Sequence, residues 1–434
     1  MSSAGQDTHE AAMIPQKTRI AIISHTHPSI SKGGAEISAY TLFLGLQKLG
    51  LDPYFIAACP RDEKSRLEFK SSTERVIFYD PAYYDHFYHI APKQVADELA
   101  FTLDELGVGI ANFHHFMNFG VNGVRMASRR VPRTVVTLHE FLAICHHHGQ
   151  MVTRPHRRLC DSANASKCVR CFPEHERGQF QYRQDFFMKA FSRVASFISP
   201  SNFLADRFVD WGLPAERIRV IENGLAEKPQ RIPNRPKDPS EPWVFGYFGQ
   251  INPFKGVDVI LDAAEFIRAK PQLARRVIIR IHGNIIGQAQ EFIDKFEADV
   301  KRNIALEYAG AYDNTQVTTL MRACDYVVMA SRWWENSPVV IQEAYAAGRP
   351  VIACNIGGMA EKVKPGISGL HFQVGNAASL AEAIETACDP RVAERLQVSV
   401  PDPSDARQMA EQYLRVFREA PMKSAPALAA IAAS

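Results

Sequence analysis

The chain has 434 residues, 46% of them hydrophobic and 22% charged. These proportions exclude a disordered polymer, a collagen and a small disulfide-stapled module, and the length predicts two or three domains at about 150 residues each. Fifty lysines and arginines against 47 acidic residues leave a formal charge of +3, too near neutral for a protein built mainly to neutralise nucleic-acid phosphates.

Met1 to Pro15 is polar, with neither the basic stretch nor the apolar core of a signal peptide, which argues against export. No run of about 18 apolar residues occurs, so any membrane contact is expected from the side, at the inner face of the plasma membrane. Eight cysteines are too sparse for a disulfide framework and suit a reducing cytosol. The expected location is cytoplasmic.

In chain order, short β-branched runs alternate with longer helical patterns, the signature of an α/β protein with parallel sheets covered on both faces. Strands are predicted over 19–24, 54–58, 76–79, 108–113, 135–138, 197–199 and 219–221, with helices such as 35–49 and 95–106 between them. The stretch 225–242 holds Pro229, Pro233, Pro236, Pro239 and Pro242 without apolar periodicity and reads as an interdomain linker. A second alternation follows, with strands over 244–248, 277–282, 305–308, 326–330 and 351–354 and helices over 257–268 and 288–302. A further helix is expected over 404–417, and 421–434 is Ala/Pro-rich and expected to fray. The pattern is two Rossmann-like halves whose strand carboxyl ends bound a cleft, the usual ligand site of doubly wound sheets.

The clearest candidate site follows the strand at 326–330. Ser337 before Pro338 reads as a helix N-cap with proline at the first helical position, and Gly348 before Pro350 as the matching stop. A helix starting there with Asn336, Ser337, Pro338 and Val339 turns its positive end toward the cleft, an arrangement that favours phosphate. Glu335 lies just outside this helix and Glu343 inside it, about 12 Å apart at 1.5 Å per residue. That span is too long for one proton relay but suits the two ends of an extended ligand. The alternative is that both are solvated charges.

After the strand at 244–248, Gly249 allows close approach of a ligand and Lys255 offers a point charge to a phosphate, unless it is a surface lysine beside a turn. Gly33 and Gly34 open the first half's helix toward the same cleft, although neither G-x-G-x-x-G nor G-x-x-x-x-G-K-[ST] occurs. His139, His114 and His115 each stand just past an apolar strand, placed either to polarise a hydroxyl or to serve as structural histidines. The chain has no D-x-D carboxylate pair for a magnesium-bound diphosphate. Leaving-group charge would then fall to Lys255 and the helix start.

Glu335 and Glu343 in an E-x7-E spacing, with Gly33-Gly34-Ala35-Glu36, Thr137-Leu138-His139-Glu140, Asn223-Gly224 and the 249–256 loop, resemble the family 4 retaining glycosyltransferases over residues 18–420. The resemblance implies a GT-B fold. An acceptor-side domain would span 18–225 with helix 404–417 crossing back onto it, and a nucleotide-sugar domain would span 243–403. It implies transfer of a sugar from a nucleoside diphosphate sugar to a glycan or lipid-linked acceptor, with anomeric configuration kept and without a covalent nucleophile. By the same resemblance, Glu335 sits by the donor sugar, Glu343 holds the ribose, Lys255 the diphosphate, Gly33 and Gly34 contact phosphate, and His139 contacts the donor sugar. Gln250 replaces the usual arginine, and a neutral amide cannot supply that charge. A sugar-nucleotide epimerase of the same fold and a catalytically silent nucleotide-sugar-binding scaffold are the alternatives.

Two features stand apart from this reading. Cys145, Cys160, Cys168 and Cys171, spaced C-x14-C-x7-C-x2-C, supply the four thiolates of a structural zinc site or else are reduced thiols packed in a lid. Residues 125–193 hold 13 lysines and arginines against five acidic residues, interleaved with Phe180, Tyr182, Phe186, Phe187 and Phe191. That combination fits either a basic aromatic face on an anionic membrane or a solvated helix with its aromatics in the core.

Overall fold

The computed structural model describes residues 18–154, 156–232 and 237–420. The expectations on Met1 to Pro15, on Pro233 and Pro236, and on 421–434 lie outside the described residues.

Seven parallel strands form the first sheet, in the order β3-β2-β1-β4-β5-β6-β7. They are β1 (Arg19–Ser24), β2 (Tyr54–Pro60), β3 (Glu74–Tyr79), β4 (Val108–Phe113), β5 (Arg133–Thr137), β6 (Ser196–Ser199) and β7 (Ile218–Val220). The helices of this lobe are α1 (Gly34–Lys48), α2 (Lys93–Glu105), α3 (Gly120–Arg130), α4 (Ala165–Cys171), α5 (Arg177–Phe191) and α6 (Asn202–Trp211). β1 is buried along all but its first residue, as a central strand covered by helices on both faces must be.

The second sheet has six parallel strands in the order β10-β9-β8-β11-β12-β13. They are β8 (Trp243–Phe248), β9 (Val277–His282), β10 (Leu306–Gly310), β11 (Tyr326–Met329), β12 (Val351–Cys354) and β13 (Gly369–Phe372). Its helices are α7 (Val257–Arg268), α8 (Pro271–Ala274), α9 (Gln290–Arg302), α10 (Val317–Arg322), α11 (Val339–Ala346), α12 (Gly357–Lys362), α13 (Ala377–Ala387) and α14 (Pro390–Val398). The strand β13 is absent from the sequence reading, because Gly-Leu-His-Phe contains no β-branched residue to mark it. Strand order reverses between β1 and β4 in one sheet and between β8 and β11 in the other, which opens a crevice at each reversal.

The last helix, α15 (Ala406–Glu419), returns to the first lobe. Asp405 and Gln408 form a capping box at its start. Met409, Ala410, Tyr413 and Phe417 pack with Leu42, Phe43 and Leu46 of α1 and with Ile20 and Ile22 of β1. Gly45 permits that approach: a side chain there would begin 2.0 Å from the Ala406 carbonyl oxygen. Residues 225–231 run along the second lobe, with Lys228 paired to Asp402 at 2.5 Å and Arg231 donating to the Val400 carbonyl.

On α5, Phe180, Phe187 and Phe191 are buried, and among the five aromatics only Tyr182 is well exposed, at 59%. Arg183 is also buried and donates to the carbonyls of Phe87, Leu142 and Ala143. Helical spacing thus turns three of the five rings into the core, as the second of the two readings of this segment has it. No helix among the described residues is long and apolar enough to cross a membrane.

Candidate functional site

The β8 and β11 loops flank the second crevice and are joined to each other. After β8, Asn252 caps a single 3-10 turn, Pro253–Lys255, by accepting from the Lys255 amide at 2.9 Å. Gly256 then takes φ +74°, where a side chain would begin 1.8 Å from the Ala330 carbonyl oxygen of the facing loop. The Arg332 amide donates to the Phe254 carbonyl, and the Phe254 ring stacks on Trp333 at 5.3 Å.

This geometry brings Lys255 and Glu335 together, with Nζ 2.6 Å from Oε1. The same carboxylate oxygen accepts from Ser331 Oγ and Trp333 Nε1, each at 2.9 Å. Burial raises the Glu335 pKa, but the Lys255 charge and these hydrogen bonds outweigh it and hold the carboxyl below its ordinary value. Glu335 is thus an anion fixed by three donors, and Lys255 retains ammonium protons for a phosphate. The Lys255 ammonium also lies 5.2 Å from the centre of the Trp333 ring.

The helix after this loop differs from its sequence reading at one end. Pro338 is the N-cap of α11, and no side chain caps it. Ser337 is therefore not the cap: its Oγ accepts instead from Asn223 Nδ2 of the first lobe at 3.3 Å. The carboxyl end is as expected, with Gly348 at φ +75° and the Arg349 amide reaching back to the Ala344 carbonyl. Val339 opens the helix, whose amino end follows the carboxyl end of β11. Glu343 lies about one turn in, bonded by Asn314, and burial pushes its pKa up to about 7; burial first and then the Glu343 charge raise the nearby Tyr312 phenol. Gln250 is exposed, and its backbone carbonyl accepts from Tyr247 Oη at 2.6 Å.

Across the cleft, residues just past β1, β4 and β5 form a histidine cluster. His114 Nδ1 and His139 Nε2 share a hydrogen bond at 3.0 Å, and the rings of His25 and His115 lie 4.5 Å apart. Glu36 sits 3.4 Å from His25, and Glu140 sits 3.2 Å from His115. Burial lowers the pKa of His114 to about 3 and of His115 to about 4; Glu36 opposes the shift at His115. His139 is driven well down by burial and by the neighbouring histidines. These imidazoles are neutral at pH 7 and can exchange hydrogen bonds with hydroxyl groups without carrying charge. Gly33 lies against the Glu36 carboxylate, 2.7 Å from where a side chain would begin, while Gly34 faces open space.

The two sides meet at Asn336, whose Nδ2 donates to the His139 carbonyl at 3.0 Å. His25 and Glu36 are missing from the candidates named in the sequence. The signal that marked His114 and His139, a histidine directly after an apolar strand, also applies to His25. Ser331 and Trp333 had no such signal, since their role depends on where the loop folds back.

The four cysteines lie in the segment between β5 and α5. All are free thiols, and among the described residues no three His, Cys, Asp or Glu side chains converge to hold a metal ion. Cys160 Sγ donates to the Ser162 carbonyl, and burial pushes Cys145 and Cys168 up to about 11. The thiols also lie near one another, Cys145 beside Cys168 and Cys160, and Cys168 beside Cys160 and Cys171.

Comparisons with known proteins identify the class. A model described as glycosyl transferases group 1 matches residues 229–397, and one described as glycosyltransferase family 4 matches residues 32–227. The HepE protein of Anabaena, crystallised in complex with UDP, superposes with a TM-score of 0.64 at 19% identity over 93% of this chain and all of that one. A lipopolysaccharide 1,2-N-acetylglucosaminetransferase of Salmonella typhimurium is 30% identical over 190 residues, 41% of this chain and 49% of that protein. A glycogen synthase of Mycobacterium tuberculosis is 25% identical over 397 residues, 87% of this chain and 88% of that protein. The chain spans about half the length of the first curated relatives it matches. Two Rossmann-like lobes facing one cleft give the chain the GT-B fold. Across both halves, the chain belongs to the family 4 glycosyltransferases.

Proposed function

We propose that the protein is a retaining glycosyltransferase that moves a sugar from a nucleoside diphosphate sugar to a hydroxyl of a glycan or lipid-linked glycan, in polysaccharide or glycolipid synthesis. The observation that carries this reading is the Lys255–Glu335 contact of 2.6 Å beside the start of α11, at the β8/β11 crevice. In this reading the diphosphate lies between Lys255, the amino end of α11 and the Gly33-Gly34 turn. Lys255 and the helix dipole take the charge of the leaving diphosphate, with no metal ion needed. Glu335 stands beside the donor sugar and steadies the positive charge that builds on its ring. His139 contacts the sugar, and His114 and His115 line the acceptor side. Glu343 accepts from the ribose diol. No side chain is assigned as a covalent nucleophile: the acceptor oxygen attacks on the face the diphosphate leaves, and its proton passes to the leaving phosphate oxygen.

The test is a thermal-shift screen of uridine and guanosine diphosphate sugars, since a bound ligand raises stability in proportion to ln(1 + [L]/Kd). The stabilising donor is then offered to glycan and lipid-linked acceptors, and the product's anomeric coupling is read by NMR. Retained configuration, and loss of transfer in Glu335→Gln, are expected. An inverted product would overturn the mechanism, a new epimer formed without acceptor would favour an epimerase, and tight donor binding without turnover would favour a scaffold.

A further inference from the structure

The amino end of α6, in the first lobe, is completed by the second lobe. The hydroxyl of its own N-cap, Ser201, accepts from the Leu204 amide at 3.3 Å. The two preceding donors go to Glu361 of α12: the carboxylate accepts from the Asn202 amide at 2.9 Å, the Phe203 amide at 2.7 Å and Asn202 Nδ2 at 2.8 Å. A carboxylate suits this place because it meets the positive end of the helix dipole with two anionic oxygens. A cap needed only for the stability of α6 could come from its own lobe. One supplied across the cleft is complete only when the lobes are together.

The other end of α12 is seated on the donor loop. The Gly358 amide donates to the Glu335 carbonyl at 2.7 Å, and a side chain on Gly358 would begin 2.1 Å from the Asn336 carbonyl oxygen. The same loop is gripped from the first lobe, where the Phe203 ring lies 5.0 Å from Trp334 and the His139 carbonyl accepts from Asn336. One short helix thus joins the amino end of α6 to the backbone of Glu335 and Asn336.

We propose that Glu361 is a positioning residue: by capping α6 across the cleft it latches the lobes together and sets the Glu335–Asn336 loop for sugar transfer. The proposal rests on the transferase reading for its catalytic half. The latch itself depends on the interlobe contacts alone.

Two variants of the full chain test it. Glu361→Gln keeps size and removes charge. Asn202→Pro deletes two of the three donors while leaving a residue well suited to the first helical position, after an extended Ser201. Small-angle scattering without ligand is expected to show a larger radius of gyration in both variants. Transfer kcat should fall about tenfold, the scale of one lost charge-assisted hydrogen bond, with donor KM changed less than about threefold. A purely structural role would instead lower the unfolding temperature and leave kcat intact. That result, or unchanged scattering and kcat in both variants, overturns the proposal. Scattering needs no substrate, so absence of wild-type transfer would count against the transferase reading while the latch is still decided.

Discussion

Lys255→Met isolates the electrostatics of the donor loop. Breaking a fully buried ion pair from one side costs about 3–5 kcal/mol, because the remaining charge is stranded. Here the Lys255 and Glu335 side chains are 27% and 15% exposed, and Ser331 and Trp333 still bond the carboxylate, so the expected loss of stability is about 2 kcal/mol. Its pH dependence has a definite sign. In the wild type Glu335 sits below its ordinary value, so the stability it contributes is present above about pH 4.5 and is lost as pH falls through the lowered value. In the variant burial acts without the lysine and raises the carboxyl, so it becomes a penalty at neutral pH that fades on acidification. Urea denaturation followed by circular dichroism should show a deficit of about 2 kcal/mol near pH 7.5 that narrows toward pH 5. The double variant Lys255→Met/Glu335→Gln should regain most of the stability while transfer stays down by about two to three orders of magnitude. A deficit equal at both pH values, or a double variant as unstable as the single one, would refute the reasoning.

The Glu343 carboxyl, raised to about 7 by burial, keeps its proton in the fold while the unfolded chain loses it, so wild-type stability should decline as pH rises from about 4.5 to 7. Glu343→Gln should remove that decline, worth at most about 3 kcal/mol, and calorimetric titration should show donor affinity losing its dependence on pH below 7. Gly256→Ala should destabilise by about 3 kcal/mol or more, measured by denaturation, since the new methyl meets the Ala330 carbonyl and the backbone is left-handed there. Phe187→Ala, at a fully buried ring, should cost about 3–5 kcal/mol, whereas Tyr182→Ala should cost under about 1 kcal/mol. Equal costs on α5 would mean that its core and solvent faces have been assigned wrongly.

The local pattern of the chain determined the α/β class, the two lobes and most strands, because a central parallel strand must be apolar along its length and its helices must be amphipathic. It also marked Lys255, Glu335 and His139 as residues standing just past strands. Tertiary structure alone decided what those residues touch. Ser337 reads as a cap but bonds Asn223 of the other lobe. The aromatics of α5 looked alike in sequence but divide between core and solvent. Glu361 carried no local mark at all, since its partners lie about 160 positions earlier in the chain. The physical reason is range: propensity and periodicity act over one or two turns or a single strand, whereas capping, ion pairing and burial are settled by groups that only the folded chain brings within hydrogen-bonding distance.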